Sequence, residues 1–142
     1  MIEATVKTIR PDREVLTRQR LPYFLGVSGA TVGAAGLSMH MVVIPPGAQS
    51  EAHAHRGYET AIYVLEGRVR TLYGHRLESS MDSEAGDFLY IPPDMPHVAI
   101  NLSDTQPARA IVARNDQAEQ DNVVPYEGAV PQGRGPGPLP GP

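Results

Sequence analysis

The sequence predicts an all-β domain of short strands folded as a sandwich or barrel, and three observations carry that prediction. Gly and Pro occur 14 times each and punctuate the chain at short intervals. Between them lie brief apolar runs rich in Val, Ile, Leu and Tyr, with the length and composition of strands. No window repeats apolar residues at i, i+3, i+4 and i+7 over several turns, so long amphipathic helices are excluded. The 142 residues suffice for one domain, which buries roughly two-thirds of the surface its unfolded chain exposes.

In chain order, the expected strands cover residues 37–44, 61–65, 69–73, 88–91, 98–102 and 108–112. Pro45, Pro46 and Gly47 end the first, because consecutive prolines remove ladder donors and the glycine permits a tight reversal. Glu66 and Gly67 interrupt the next, and Gly74 separates residues 69–73 from the run around Leu77. Gly86 and Asp87 open residues 88–91, which Pro92 and Pro93 close. These boundaries enclose a barrel core at 37–115. Ahead of it, residues 1–36 read as an N-terminal strand and a Gly-rich loop with glycines at 26, 29, 33 and 36. Without a Gly-Lys-Ser/Thr sequence or a helix signal behind it, that stretch is a flexible loop and not a phosphate cradle. Residues 116–130 form a C-terminal extension. The tail at 131–142 is nearly all Pro and Gly and is expected to be disordered or polyproline-like.

Composition narrows the chemistry. Twelve Lys and Arg stand against sixteen Asp and Glu with no basic stripe, so nucleic acid is not expected as a partner. There is no cysteine, which excludes thiol catalysis, zinc knuckles and disulfides. Residues 1–14 lack the apolar core of a signal peptide and no apolar run is long enough to span a bilayer, so the expectation is a cytoplasmic protein without a membrane partner.

The densest chemical signal is His53-Ala54-His55. On a strand, residues two apart share a face, so both imidazoles reach one ion from the same wall. His97 follows the Pro-rich turn Pro92–Pro96, and proline stiffens the position from which its ring emerges. Three histidines from two strands suit Fe, Mn, Ni, Cu or Zn better than Mg or Ca.

The two segments resemble the paired signature motifs of the cupin superfamily. Gly47, His53, His55, Glu59 and Gly67 fall at the positions of the first motif; Gly86, Pro92, His97 and Asn101 fall at those of the second. Asp94 stands where the family has glycine, a mild departure because aspartate tolerates turn conformations. The resemblance implies a double-stranded β-helix (the cupin or jelly-roll barrel), one transition-metal ion with Fe or Mn favoured and Ni, Cu or Zn possible, a homodimer, and a metal held by His53, His55, Glu59 and His97.

Counted back from Gly67, the family's usual carboxylate slot falls on Thr60, and a one-residue shift on a regular strand turns a side chain to the opposite face. Either the loop 56–58 or a bulge re-aims Glu59 inward, or the site lacks a carboxylate and uses water. The three-residue spacing that the resemblance allows assigns Glu59.

Other residues have plainer readings. His40 reads as a core or pocket histidine and His75 as a turn residue; Met39, Met41 and Met95 are filler. Arg68 and Arg70 read as a solvated outer face and would suggest an anionic substrate if they faced inward. Tyr58, Tyr63 and Asp94 are the only nearby candidates for acid–base work, and Tyr90 is a further pocket candidate. The leading expectation is a metal-dependent oxygenase acting on a small molecule. The alternatives are a non-catalytic small-molecule-binding or sensor protein, and a Lewis-acid isomerase or lyase.

Overall fold

Burial alternates along the strands, and that alternation decides the architecture. The computed structural model describes residues 4–11 and 14–134, among which eleven strands occur. They are β1 (Glu14–Leu16), β2 (Pro22–Val27), β3 (Ser38–Ile44), β4 (His53–His55), β5 (Thr60–Glu66), β6 (Arg68–Tyr73), β7 (Ser79–Glu84), β8 (Phe88–Ile91), β9 (His97–Asn101), β10 (Ala108–Arg114) and β11 (Val123–Pro125). All six expected runs are strands. The sequence reading did not single out β7 or β11, since Ser79–Glu84 is mostly polar and Val123–Pro125 is only three residues long.

The strands form two antiparallel sheets. One has the order β1-β2-β3-β10-β5-β8 and the other β11-β4-β9-β6-β7. In β10 the even-numbered residues are buried and the odd-numbered ones half-buried between them, the period-two signature of a strand with one face on a core. Leu21, Tyr23, Val42, Ile44, Val69, Ala108, Ala110 and Val112 make that core between the sheets. The chain crosses from one sheet to the other at Gly67, where φ is +91° and a Cβ would lie 2.8 Å from the Ala108 Cα. No other residue fits that corner without moving β10.

A second cluster, Leu72, Leu77, Val98 and Ile100, lies on the outer side of the five-stranded sheet with Tyr126 packed against it. The beginning of the Pro/Gly-rich tail completes this cover. A Cβ on Gly133 would sit 2.7 Å from Ile100 and 2.9 Å from Leu72, so the backbone itself lies on the leucine. Arg134 donates to the carbonyls of Asn101, Gly47 and Ala48 at 2.6–3.0 Å. Arg70 donates to the Gly133 carbonyl and pairs with Asp82; it lies on the outer face as expected, but beneath this cover and not in solvent. Gly133 and Arg134 are thus packed while residues 131 and 132 are exposed, and the rest of the tail, 135–142, lies outside the described residues.

The Gly-rich stretch carries one turn of helix, α1 (Gly29–Val32), where a loop was expected. Ser28 and Thr31 cap it reciprocally, a capping-box arrangement with Thr in the third position. Among the described residues no helix is long and apolar enough to cross a membrane.

Candidate metal centre

Register brings the three histidines together. His53 on β4 pairs directly with His97 on β9, and His55 lies two residues along on the same face. The ring centroids are 4.3 Å apart for His53 and His97, 4.6 Å for His55 and His97, and 5.0 Å for His53 and His55. One ligand nitrogen from each lies within 4.8 Å of the other two, and all three residues are buried.

The hydrogen bonds behind the rings set which nitrogen faces the centre. His53 Nδ1 lies 2.7 Å from the Glu51 carbonyl and His97 Nδ1 lies 2.9 Å from the Met95 carbonyl. A carbonyl only accepts, so each Nδ1 carries the proton and each Nε2 keeps its lone pair. His55 Nδ1 meets the Thr60 hydroxyl at 2.9 Å. Its Nε2 is buried with no hydrogen-bond partner, a situation that costs about 1–3 kcal/mol unless something binds there. Burial pushes the His53 imidazole down to about 4. His97 is driven well below the usual imidazole range by burial and then by His53, and His55 is lowered by burial and then by His97, Arg114 and His53. All three rings are therefore neutral near pH 7, the state that binds a cation. An orphaned imidazole nitrogen converging with two lone pairs fits one transition-metal ion.

Glu59 does not join them. It is exposed on the outer side of the six-stranded sheet, accepting from the Tyr90 hydroxyl at 2.7 Å and from Asn115 at 3.4 Å. The expected re-aiming is missing because β5 starts in regular register: Thr60 pairs with Arg114 on one side and Ile91 on the other. Thr60 is the residue that turns inward, and it supports His55 instead of supplying a carboxylate. The acid–base candidates also lie elsewhere. Tyr63 points outward against Phe88. Tyr58 is buried and stacks on His55 at 4.8 Å, but its hydroxyl donates to the Glu119 carbonyl, and burial pushes the phenol up. Asp94 adopts a left-handed conformation (φ +62°) and its carboxylate accepts from the Gly57 amide. With the Asp94 amide donating to the His55 carbonyl, this turn ties the two histidine segments together. Asn101 is a clamp, donating to the carbonyls of Ile44, Pro45 and Gln106.

His40 is a core histidine, as read. Its Nδ1 accepts from the Gly26 amide, and its Nε2 is 3.6 Å from Glu119. Met39 lies on the outer face instead of filling the core.

A cavity of about 70 Å³ opens beside the three rings. Most of its wall is apolar, including Val42, Ile44, Ile62, Val64, Leu89 and Ile91. Gln19, Tyr23 and Arg114 add polar groups, and sequence reading missed all three. Arg114 was accessible from parity, since it shares the inward face of β10 with Ala108, Ala110 and Val112. Its guanidinium is buried, 5.6 Å from the centre of the Tyr23 ring and 3.7 Å from the Glu119 carboxylate. A second pocket of about 210 Å³, where the edge strands β7 and β8 face each other, shares Thr71, Leu89, Ile91 and His97 with the first.

Comparison with known proteins places this arrangement. The cupin domain profile matches residues 40–114. A germin-like protein, subfamily T member 3, from Arabidopsis thaliana is 32% identical over 94 residues, covering 64% of this chain and 40% of that protein. The chain spans half or less of the length of the curated relatives it matches. Among solved structures, the polyketide cyclase RemF from Streptomyces resistomycificus superposes with a TM-score of 0.72 at 18% identity, covering 88% of both chains. A Cupin 2 conserved barrel domain protein from Salinispora arenicola gives 0.64 at 25% identity, covering 82% of this chain and 95% of that one. A recombinant oxalate oxidase in complex with glycolate gives 0.63 at 22% identity, over 76% of this chain and 56% of that one. These likenesses establish a jelly-roll fold of two antiparallel sheets. Since the profile covers more than half of the residues, from His40 to Arg114, and encloses both histidine segments, the chain belongs to the cupin domain family.

Proposed function

We propose that the protein is a metal-dependent enzyme of the oxygenase type acting on a small organic molecule, with His53, His55 and His97 holding one ion. The observation that carries this reading is the unpartnered Nε2 of His55, buried beside two oriented imidazoles and facing a mainly apolar cavity. Three imidazoles without Glu59 favour Fe, Ni, Cu or Zn over Mn, which prefers oxygen donors; Fe is the ion proposed. An ion held by His53, His55 and His97 would supply the chemistry that activates dioxygen beside a small substrate.

The chain's own residues do the rest. The Glu51 and Met95 carbonyls and Thr60 hold the rings in place. Val42, Ile62, Val64, Leu89 and Ile91 exclude bulk water and take the apolar body of the substrate. Arg114 offers positive charge toward an anionic head group such as a carboxylate, held in place by Glu119 and Thr60. The pocket beside Tyr73, Met81 and Met95 is the entrance, and His97 stands where it meets the cavity. The small cavity volume limits the buried part of the substrate to a few non-hydrogen atoms.

The test is metal analysis of the purified protein beside a His53→Ala/His97→Ala double variant, followed by turnover of short-chain carboxylates under air and under argon. The expected result is about one equivalent of iron, lost in the variant, with oxygen consumed only by the loaded wild type. Failure to take up any of Fe, Ni, Cu, Zn or Mn on reconstitution overturns the reading. Turnover that persists under argon replaces it with Lewis-acid chemistry.

A further inference from the structure

Two pockets meet at His97, and they differ in what they can hold. The cavity beside the three rings measures about 70 Å³, while the pocket next to it measures about 210 Å³. A cavity of about 150 Å³ accepts benzene, so a six-membered ring fits the second and not the first. The larger pocket lies between the edges of the two sheets. β7 ends one sheet and β8 the other, and neither edge carries a further strand among the described residues. Thr71 pairs with Met81 across one wall, and Leu89 and Ile91 form the other. Pro92 and Met95, from the turn that precedes His97, complete the lining.

The lining has a defined chemistry. No Lys, Arg, Asp or Glu contributes to it. Asp82, next to Met81, turns to the opposite face of β7 and pairs with Arg70. Two thioethers, Met81 and Met95, and the Tyr73 ring stand among the apolar groups. Sulfur makes favourable contacts with aromatic rings, often at the ring edge, and tyrosine pairs with other rings offset or edge to face. Met81 is 50% exposed, an apolar side chain at the mouth with surface free for a ligand. His97 pairs with Tyr73 on one side and with His53 on the other. A group held beside Tyr73 is therefore one strand away from the three imidazoles.

We infer that this pocket is the subsite for an uncharged aromatic ring, and that the substrate is an arylalkanoate, a ring joined to a carboxylate by a short chain. The inference rests on the proposed function for the place of the carboxylate at Arg114, and it deepens that reading by naming the other end of the molecule. The ring sits among Met81, Met95 and Tyr73. The short chain passes His97 into the small cavity, and the carboxylate meets Arg114 in the cavity wall. Neither pocket alone accounts for such a ligand. The first is too small for the ring, and the second has no positive charge for the carboxylate.

Isothermal titration calorimetry of the full chain tests this with phenylpropionate, cyclohexylpropionate and propionate, and it reads binding without turnover. Phenylpropionate is expected to bind roughly tenfold or more tighter than propionate. It is also expected to bind more tightly than cyclohexylpropionate, whose puckered ring has the same reach but no π face. Met81→Gln, at a half-exposed position, is expected to cut the advantage of the phenyl group roughly threefold to tenfold and to leave propionate binding unchanged. Met39→Gln, on the outer face of the other sheet, is expected to change neither. Cyclohexylpropionate binding as tightly as phenylpropionate overturns the aromatic assignment, and a phenyl advantage untouched by Met81→Gln overturns the location. Equal affinity for phenylpropionate and propionate overturns both. A protein that takes up metal but shows no ring preference ends this inference alone, whereas ring preference without metal uptake supports it and ends the enzyme reading.

Discussion

The outer faces of the two sheets meet the same problem in opposite ways. Both carry apolar side chains that the core between the sheets cannot shelter. On the five-stranded sheet, Leu72, Val98 and Ile100 are covered by Leu77, Tyr126 and the backbone at Gly133, and their exposure is 1% or less. On the six-stranded sheet, Phe88, Tyr63 and Met39 occupy equivalent outward positions and stay exposed. Among the described residues, the chain covers the first of these faces and leaves the second bare. A strand buried on both faces is fixed by intramolecular packing, whereas one buried on a single face leaves a surface for association.

The largest expected effect removes both faces together by attacking what lies between them. His53 in the folded protein stays neutral down to about pH 4, while the unfolded chain takes up that proton near 6.5. The unfolded state then binds more protons, so stability is level above pH 6.5 and falls as pH drops toward 4. Each such imidazole contributes about 1.4 kcal/mol per pH unit, which comes to about 3 kcal/mol for His53 over this window, and His55 and His97 act in the same direction. Urea unfolding of metal-free protein at pH 7, 6 and 5 measures the slope; a level profile would remove the neutral buried imidazoles from the account.

A second experiment separates the covered face from the bare one. Leu72→Ala opens a cavity at a fully buried site and is expected to cost about 3–5 kcal/mol. Ile111→Ala, on the bare outer face between Met41 and Tyr63, should cost well under half of that. Equal losses in chemical denaturation would abolish the distinction.

The smallest effect concerns the polar rims. Arg134→Ala leaves the carbonyls of Gly47, Ala48 and Asn101 without that donor and is expected to cost about 1–2 kcal/mol. Arg109→Ala breaks a pair with Glu66 in which both side chains are well exposed, and its cost should stay below about 1 kcal/mol. Thermal midpoints of the two variants, compared side by side, check the order.

Much of this was legible in the residue order. The six apolar runs between Gly and Pro became strands, and His53, His55 and His97 converge because period two and a Pro-bounded turn are local properties. Asp94 accepts the left-handed conformation that its position requires. The carboxylate was misassigned. Spacing to Gly67 favoured Thr60, and the choice of Glu59 required a bulge that the pairing of Thr60 with Arg114 and Ile91 leaves no room for. Tyr63 was misplaced by the same one-residue parity, since Ile62 and Val64 take the inward positions.

Local sequence specified the strands, the turns and the shared face of His53 and His55, because these depend on side-chain period and backbone preference within a few residues. Parity along β10 could have placed Arg114 on the inward face, but Gln19, Tyr23 and Glu119 entered the site only through contacts across long separations, such as the 61 residues between Tyr58 and Glu119. The same holds for the cover over Leu72, where a Pro/Gly-rich tail that reads as unable to bury a core contributes backbone and one arginine to it. Which surface a segment lands on is set by what the rest of the chain leaves exposed, and composition carries no record of that.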